Sequence, residues 1–143
     1  MILVSSCLLG LNCRYDQSQK PDHDIIDFLK GKSFIPVCPE QMGGLSTPRV
    51  PCEIVSRSPL KVMSAQGMDC TEFYEKGVKE VLKLIEICPV NFAILKAKSP
   101  SCGSKEIYDG TFSKTLISGK GLLSQALEDK NIRVYNEKNF KSR

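Results

Sequence analysis

Histidine is almost absent from this chain: one residue, His23, in 143. Sites built on several imidazoles are therefore disfavoured, among them histidine-rich catalytic zinc centres and the serine–histidine–acid machinery. No apolar run approaches the ~20 residues of a membrane span. The start, Met1-Ile2-Leu3-Val4, lacks the basic segment and long apolar stretch of a signal peptide, so the sequence predicts a protein that stays in the cytoplasm, away from membranes. Charge of one sign is scarce as well. Twenty basic against sixteen acidic residues leave a net charge of +4, spread along the chain. That suits a small anionic ligand and is too weak to argue for a nucleic acid polymer as partner. No C-x-x-C occurs, which disfavours a thioredoxin-type redox pair and a zinc ribbon. Repeats, low-complexity segments and linkers are missing too, so residues 1–143 are expected to form a single domain. Hydrophobic residues at 41% and charged residues at 25% are ordinary for a globular chain.

Cysteine, by contrast, is abundant. Seven residues are below the density of a disulfide scaffold and odd in number. In a cytoplasmic protein, such an excess points to a metal, a cluster or redox chemistry rather than to covalent staples. With one histidine available, a site of several ligands must be built mainly from thiolates.

The hydrophobic pattern alternates strands with helices. Strands are expected at 2–6, 34–38, 92–95 and 132–135, and a small hairpin from Glu53–Val55 and Lys61–Ser64. Pro36 counts against a central position for the second strand. Helices are expected at 22–30, at Cys70–Ile87 with Asp69 as N-cap and Glu72 completing a capping box, and at 121–129. The glycine- and proline-rich stretch 43–51 reads as a loop. This order predicts an α/β fold, a doubly wound domain with a mainly parallel sheet flanked by helices. Ligands of such sheets sit beyond the carboxyl ends of the strands.

Three cysteines fall there. Cys7 closes the first strand, Cys38 the second, and Cys102 follows the third by a short loop. In a parallel sheet all three converge on one edge, among glycines and prolines that let the backbone bend around a bulky inorganic group. Three thiolates on strand ends suit a four-iron, four-sulfur cluster whose fourth iron has no protein ligand, and an open metal position marks a catalytic site. Cys52, Cys70 and Cys88 read as small buried hydrophobes. Cys13, six residues after Cys7, reads either as a substitute ligand or as a partner thiol. His23, between two aspartates, reads as an exposed helix-start residue.

Three segments carry a resemblance: Ser6-Cys7-Leu8-Leu9-Gly10 with Arg14-Tyr15-Asp16; Val37-Cys38-Pro39-Glu40 with Gly43-Gly44 and Pro48-Arg49; and Lys98-Ser99-Pro100-Ser101-Cys102-Gly103. Together they resemble the signature of the thiouracil desulfidase family, formerly a domain of unknown function, from Met1 to about Tyr135. The resemblance implies a 4Fe-4S cluster on Cys7, Cys38 and Cys102, with one iron left open to take the sulfur of a thiolated pyrimidine. In the family's first motif a glycine usually follows Arg-Tyr-Asp or Arg-Phe-Asp; Gln17 stands there in this chain.

Taking sulfur from a thione without a change of oxidation state needs a thiophilic Lewis acid, a water at the carbon, and proton carriers. Glu40 is the candidate base, Ser101 a proton relay or hydrogen-bond donor beside Cys102, and Asp16 a second acid. Arg14, Arg49 and Lys105 are cations near these loops, and Ser101–Ser104 offers small residues whose N–H groups can cradle a phosphate. The leading expectation is a hydrolytic, non-redox desulfidase for thiouracil, thiouridine or its monophosphate. A cluster- or metal-binding sensor using the same cysteines is the alternative, and a cysteine-nucleophile enzyme, lacking a histidine partner, the third.

Overall fold

The computed structural model describes all 143 residues. Four strands, β1 (Ile2–Ser5), β2 (Phe34–Val37), β5 (Phe92–Ile94) and β8 (Arg133–Tyr135), form a parallel sheet in the order β2-β1-β5-β8. Pro36 sits on the edge strand β2, where its missing N–H costs no ladder bond. Central β1 is buried along its whole length, which is why Ile2-Leu3-Val4 is uninterrupted hydrophobic sequence rather than an alternating one.

Alternate residues of the strands serve opposite faces. Leu3, Val37 and Ala93 pack with Val81 and Ile85 of α3 (Thr71–Ile87) and with Leu123 and Leu127 of α4 (Leu122–Asp129). Ile2, Val4 and Ile94 pack with Ile25 and Leu29 of α1 (His23–Leu29) and with Phe140 near the C-terminus. The sheet is thus covered on both sides, as expected of a doubly wound fold. Each fully buried aliphatic side chain contributes about 1.5–3 kcal/mol of transfer free energy. No helix is long and apolar enough to cross a membrane.

Asp22 caps α1 by accepting the Ile25 N–H at 3.1 Å, and His23 is the exposed first residue of that helix. The start of α3 corrects the expected capping box. Cys70 occupies the N-cap without a side-chain cap, and Asp69, one residue earlier, accepts the Thr71 N–H at 2.9 Å. Asp69 also pairs with Lys61 of the neighbouring strand at 3.1 Å, which draws its carboxylate outward.

The hairpin is longer than expected, β3 (Cys52–Arg57) against β4 (Leu60–Ser64). A second hairpin, β6 (Glu106–Tyr108) with β7 (Leu116–Ser118), goes unforeseen because each strand has only three residues. Also unforeseen is the short helix α2 (Pro39–Met42), which carries Glu40. It presses onto α3 through two glycines: a Cβ at Gly77 would overlap the Pro39 carbonyl, and one at Gly43 the Phe73 carbonyl. Bare backbone at both positions lets the two helices meet closely enough to bury Pro39 and Glu40.

Candidate functional site

From β1 the chain passes to β2 on one side, and later to β5 on the other, so the strand order reverses at β1. Crevices outside such reversal points receive ligands in doubly wound sheets. Cys7 lies in the 3₁₀ turn after β1, Cys38 directly after β2, and Cys102 in the loop after β5. All three therefore stand on the same edge, as the parallel reading requires.

The loop bearing Cys102 is built from its own hydroxyls and from α4. Ser99 Oγ accepts the Cys102 N–H at 2.7 Å, and Ser124 Oγ donates to the Cys102 carbonyl at 2.7 Å. The first N–H groups of α4 would be orphaned at a free helix end; here Leu122 N–H donates to Pro100 O and Leu123 N–H to Ser101 O. The helix start and the loop thus satisfy one another, leaving Ser101 fully buried.

Ser101 Oγ donates to the carboxylate of Glu40, 2.9 Å from each oxygen, across 61 positions of sequence. Its Oγ also lies 3.4 Å from Cys102 Sγ and 3.2 Å from Ser99 Oγ. Glu40, the candidate base, is only 8% exposed, because α2 docks on α3. On the other flank of Cys102, Ser5 Oγ donates to its sulfur at 3.5 Å while accepting the Lys96 N–H at 2.9 Å. Burial, followed by the Glu40 carboxylate, pushes the Cys102 thiol up, and the Ser101 and Ser5 hydroxyls oppose this.

The other two thiols are shifted the opposite way. The neighbouring Cys13 thiol is the largest cause holding Cys7 and Cys38 below the usual cysteine value, and Cys38 Sγ lies 3.9 Å from the Cys13 carbonyl. Arg14 and Lys96 add positive potential at Cys7, and Arg49 does so at Cys38. Cys13 itself keeps its proton, its thiol pushed up by these two sulfur neighbours. Arg49 Nη2 donates to the Cys13 carbonyl at 3.0 Å, and Arg49 N–H to Tyr15 O at 2.8 Å, so the loop 43–51 pins the segment after Cys7.

The structure brings Cys7, Cys38, Cys102, Glu40 and Ser101 together, with Arg14 and Arg49 at the margin. It does not bring in Asp16. That side chain accepts the Ser18 N–H at 2.9 Å in an exposed turn, 4.0 Å from Arg14 Nε. The turn keeps the conformation a glycine would favour, with Gln17 at φ 62°. Ser104 is buried behind the loop and accepts a hydrogen bond from Asn136 Nδ2 at 3.3 Å. Lys105 is exposed and lines an open cavity of about 270 Å³ with Lys98, Lys138 and Asn139. Sequence reasoning passed over Ser5, Ser99, Lys96 and Glu137. Glu137 accepts from Lys96 Nζ at 2.6 Å and from Ala97 N–H at 2.8 Å, fixing the strand end beside Ser5. The signal for Lys96 and Glu137 was available, since both follow carboxyl ends of strands.

No three cysteine, histidine or acidic side chains close on a point as ligands of a single ion would. A multi-iron cluster makes a different demand, one thiolate per iron, and three thiols spread along one edge meet it. The donor chemistry also fits. Cys7 and Cys38 are biased towards thiolate, first by the neighbouring Cys13 and then by the cations Arg14, Lys96 and Arg49, and Cys102 receives the Ser5 hydroxyl on its sulfur, while burial keeps it protonated until a metal ion displaces the proton.

Residues 2–139 match the model of a family described as 2-thiouracil desulfurase. A Bacillus subtilis (strain 168) protein, named only as the uncharacterized protein YbbK, is 40% identical over 144 residues, covering 96% of this chain and 95% of its own. A solved structure described as the [4Fe-4S]-dependent thiouracil desulfidase TudS superposes with a TM-score of 0.90 at 36% identity, over 99% of this chain and 93% of that one.

Proposed function

This chain belongs to the 2-thiouracil desulfurase family, and from that premise we propose that it is an iron–sulfur-dependent desulfidase acting on a thiolated pyrimidine, whether thiouracil, thiouridine or its monophosphate. The reaction is hydrolytic: the ring C=S and one water become C=O and hydrogen sulfide, with no electrons exchanged. It runs in the cytoplasm, where thiolates persist. Cys7, Cys38 and Cys102 would hold a 4Fe-4S cluster. When bound, that group supplies a thiophilic Lewis acid at the iron without a cysteine.

The observation that carries the reading is the Glu40–Ser101 pair, buried against Cys102 and two residues beyond Cys38. A carboxylate withheld from bulk water and aimed by a hydroxyl is what a general base needs. Glu40 takes a proton from the attacking water. Ser101 fixes the carboxylate through both of its oxygens, and Ser99, 3.2 Å away, extends the hydroxyl chain for proton passage. Arg14, whose Nε is buried without a hydrogen-bond partner, and Arg49 present positive charge to the anionic groups of the substrate. Ser104 and Lys105 complete the edge on the β8 side. Asp16 serves as a turn former rather than a proton carrier.

Anaerobically reconstituted protein, offered 2-thiouracil, 4-thiouracil and thiouridine nucleotides without any reductant, is expected to yield the oxo product and sulfide in equal amounts. An intact cluster with no turnover across that panel would favour a sensor, and a strict need for electrons would replace hydrolysis by redox chemistry.

A further inference from the structure

Two of the seven cysteines play no part in this site yet face each other. Cys52 opens β3 and Cys70 caps α3, and their sulfurs lie 3.2 Å apart across 18 positions of sequence. Both are buried, 7% and 0% exposed, in an apolar cluster with Ile54, Val62, Tyr74 and Ile107 that is separate from the cluster containing Cys102. Each sulfur also lies 3.8 Å from a carbonyl two residues before it in the chain, Val50 O for Cys52 and Met68 O for Cys70. An approach of a further ~1.2 Å brings the sulfurs to the ~2.05 Å of a disulfide bond.

We propose that Cys52 and Cys70 are an oxidative modification site, closing to an intramolecular disulfide that ties the β3–β4 hairpin to the start of α3. The oxidant is a small peroxide. Cys52, the less buried thiol, attacks the peroxide O–O bond, giving a sulfenic acid and releasing water or an alcohol. The Cys70 sulfur then displaces hydroxide from the Cys52 sulfur, which leaves as water with the Cys70 proton. In sum two thiols lose two protons and two electrons, and the peroxide takes them up. Burial pushes the Cys52 thiol up to about 12, so the closure is slow beside the oxidation of the thiols on the sheet edge. The link joins the strand that follows the Arg49 loop to the helix on which α2 rests. It therefore braces the scaffold of the site without using any group of the site.

The sequence offers a clean readout. Trypsin releases residues 50–57 with Cys52 and residues 62–76 with Cys70, and each peptide contains no other cysteine. Full-length protein without its cluster, incubated with hydrogen peroxide, unfolded, alkylated and digested without reductant, is expected to show these two peptides joined, two hydrogens lighter than their sum. Reduction separates them. Closing so short a loop between packed elements raises Tm by about 5–10 °C. The gain disappears in Cys52→Ala and, as a second variant should that one fold poorly, in Cys70→Ser. Free, alkylated Cys52 and Cys70 after prolonged oxidation, or either joined to a cysteine of the sheet edge, would overturn the proposal; the wild-type digest alone decides this.

Discussion

The same residue type lives two different lives at the sheet edge and beside the β3–β4 hairpin. At the sheet edge, Cys7 and Cys38 are half-buried, lie beside the Cys13 thiol, and sit near Arg14, Lys96 and Arg49. Beside the hairpin, Cys52 and Cys70 are fully enclosed among aliphatic and aromatic groups. Cations and donors lower a thiol's pKa, while apolar burial raises it. Cysteine count alone therefore says little about ligation. Position relative to strand ends, and the charge around each sulfur, separate candidate ligands from core residues.

The largest expected effect breaks the sheet-edge assembly without touching a thiol. Glu40→Gln keeps the size of the side chain and an oxygen for Ser101, so iron content should be retained while turnover falls about 10²–10⁴-fold, the usual worth of a positioned base. Asp16→Asn is expected to leave the rate unchanged. Steady-state kinetics with parallel iron analysis checks both. If Asp16→Asn loses the rate and Glu40→Gln keeps it, the base is Asp16.

A second expectation sharpens the contrast between the two thiol groups. In protein without cluster, iodoacetamide should modify Cys7 and Cys38 well before Cys52, because both are half-exposed and their thiols lie below the usual cysteine value. Cys52, with its thiol pushed up to about 12, should react later than both, and raising the pH from 7 to 9 should speed Cys52 more than Cys7. Time-resolved peptide mass analysis reads the order; modification of Cys52 ahead of Cys7 would erase the distinction.

The smallest effect lies in the turn after Cys13. Gln17 holds φ at 62°, a left-handed conformation that costs a non-glycine residue about 1–2 kcal/mol. Glycine relieves that strain and loses part of the gain to its greater unfolded entropy. Gln17→Gly should thus stabilise the protein by about 0.5–1 kcal/mol in a denaturant titration, with turnover unchanged.

Much of this was legible in the sequence because it depends on periodicity and punctuation. The four sheet strands, α1, α3 and α4 follow from apolar spacing, with Gly31 and Pro89 as stops after α1 and α3, and parallel order then sends Cys7, Cys38 and Cys102 to one edge. What escaped depends on contacts between distant residues. Glu40 is buried only because Gly43 and Gly77 let α2 meet α3, and no local pattern announces a four-residue helix. Cys13 joins the site through Arg49, 36 positions away. The Cys52–Cys70 approach is likewise tertiary: each thiol, read singly, is a small hydrophobe.

The contrast between the two thiol regions meets its most direct test in iron and sulfide analysis of two anaerobically reconstituted variants, Cys38→Ser and Cys70→Ser. With ligation confined to the sheet edge, Cys70→Ser should bind about four irons and four sulfides and keep the broad visible absorbance of a thiolate-held cluster. Cys38→Ser should lose both. Equal loss in the two variants, with both folded by circular dichroism, would contradict the assignment of Cys7, Cys38 and Cys102 as the ligands.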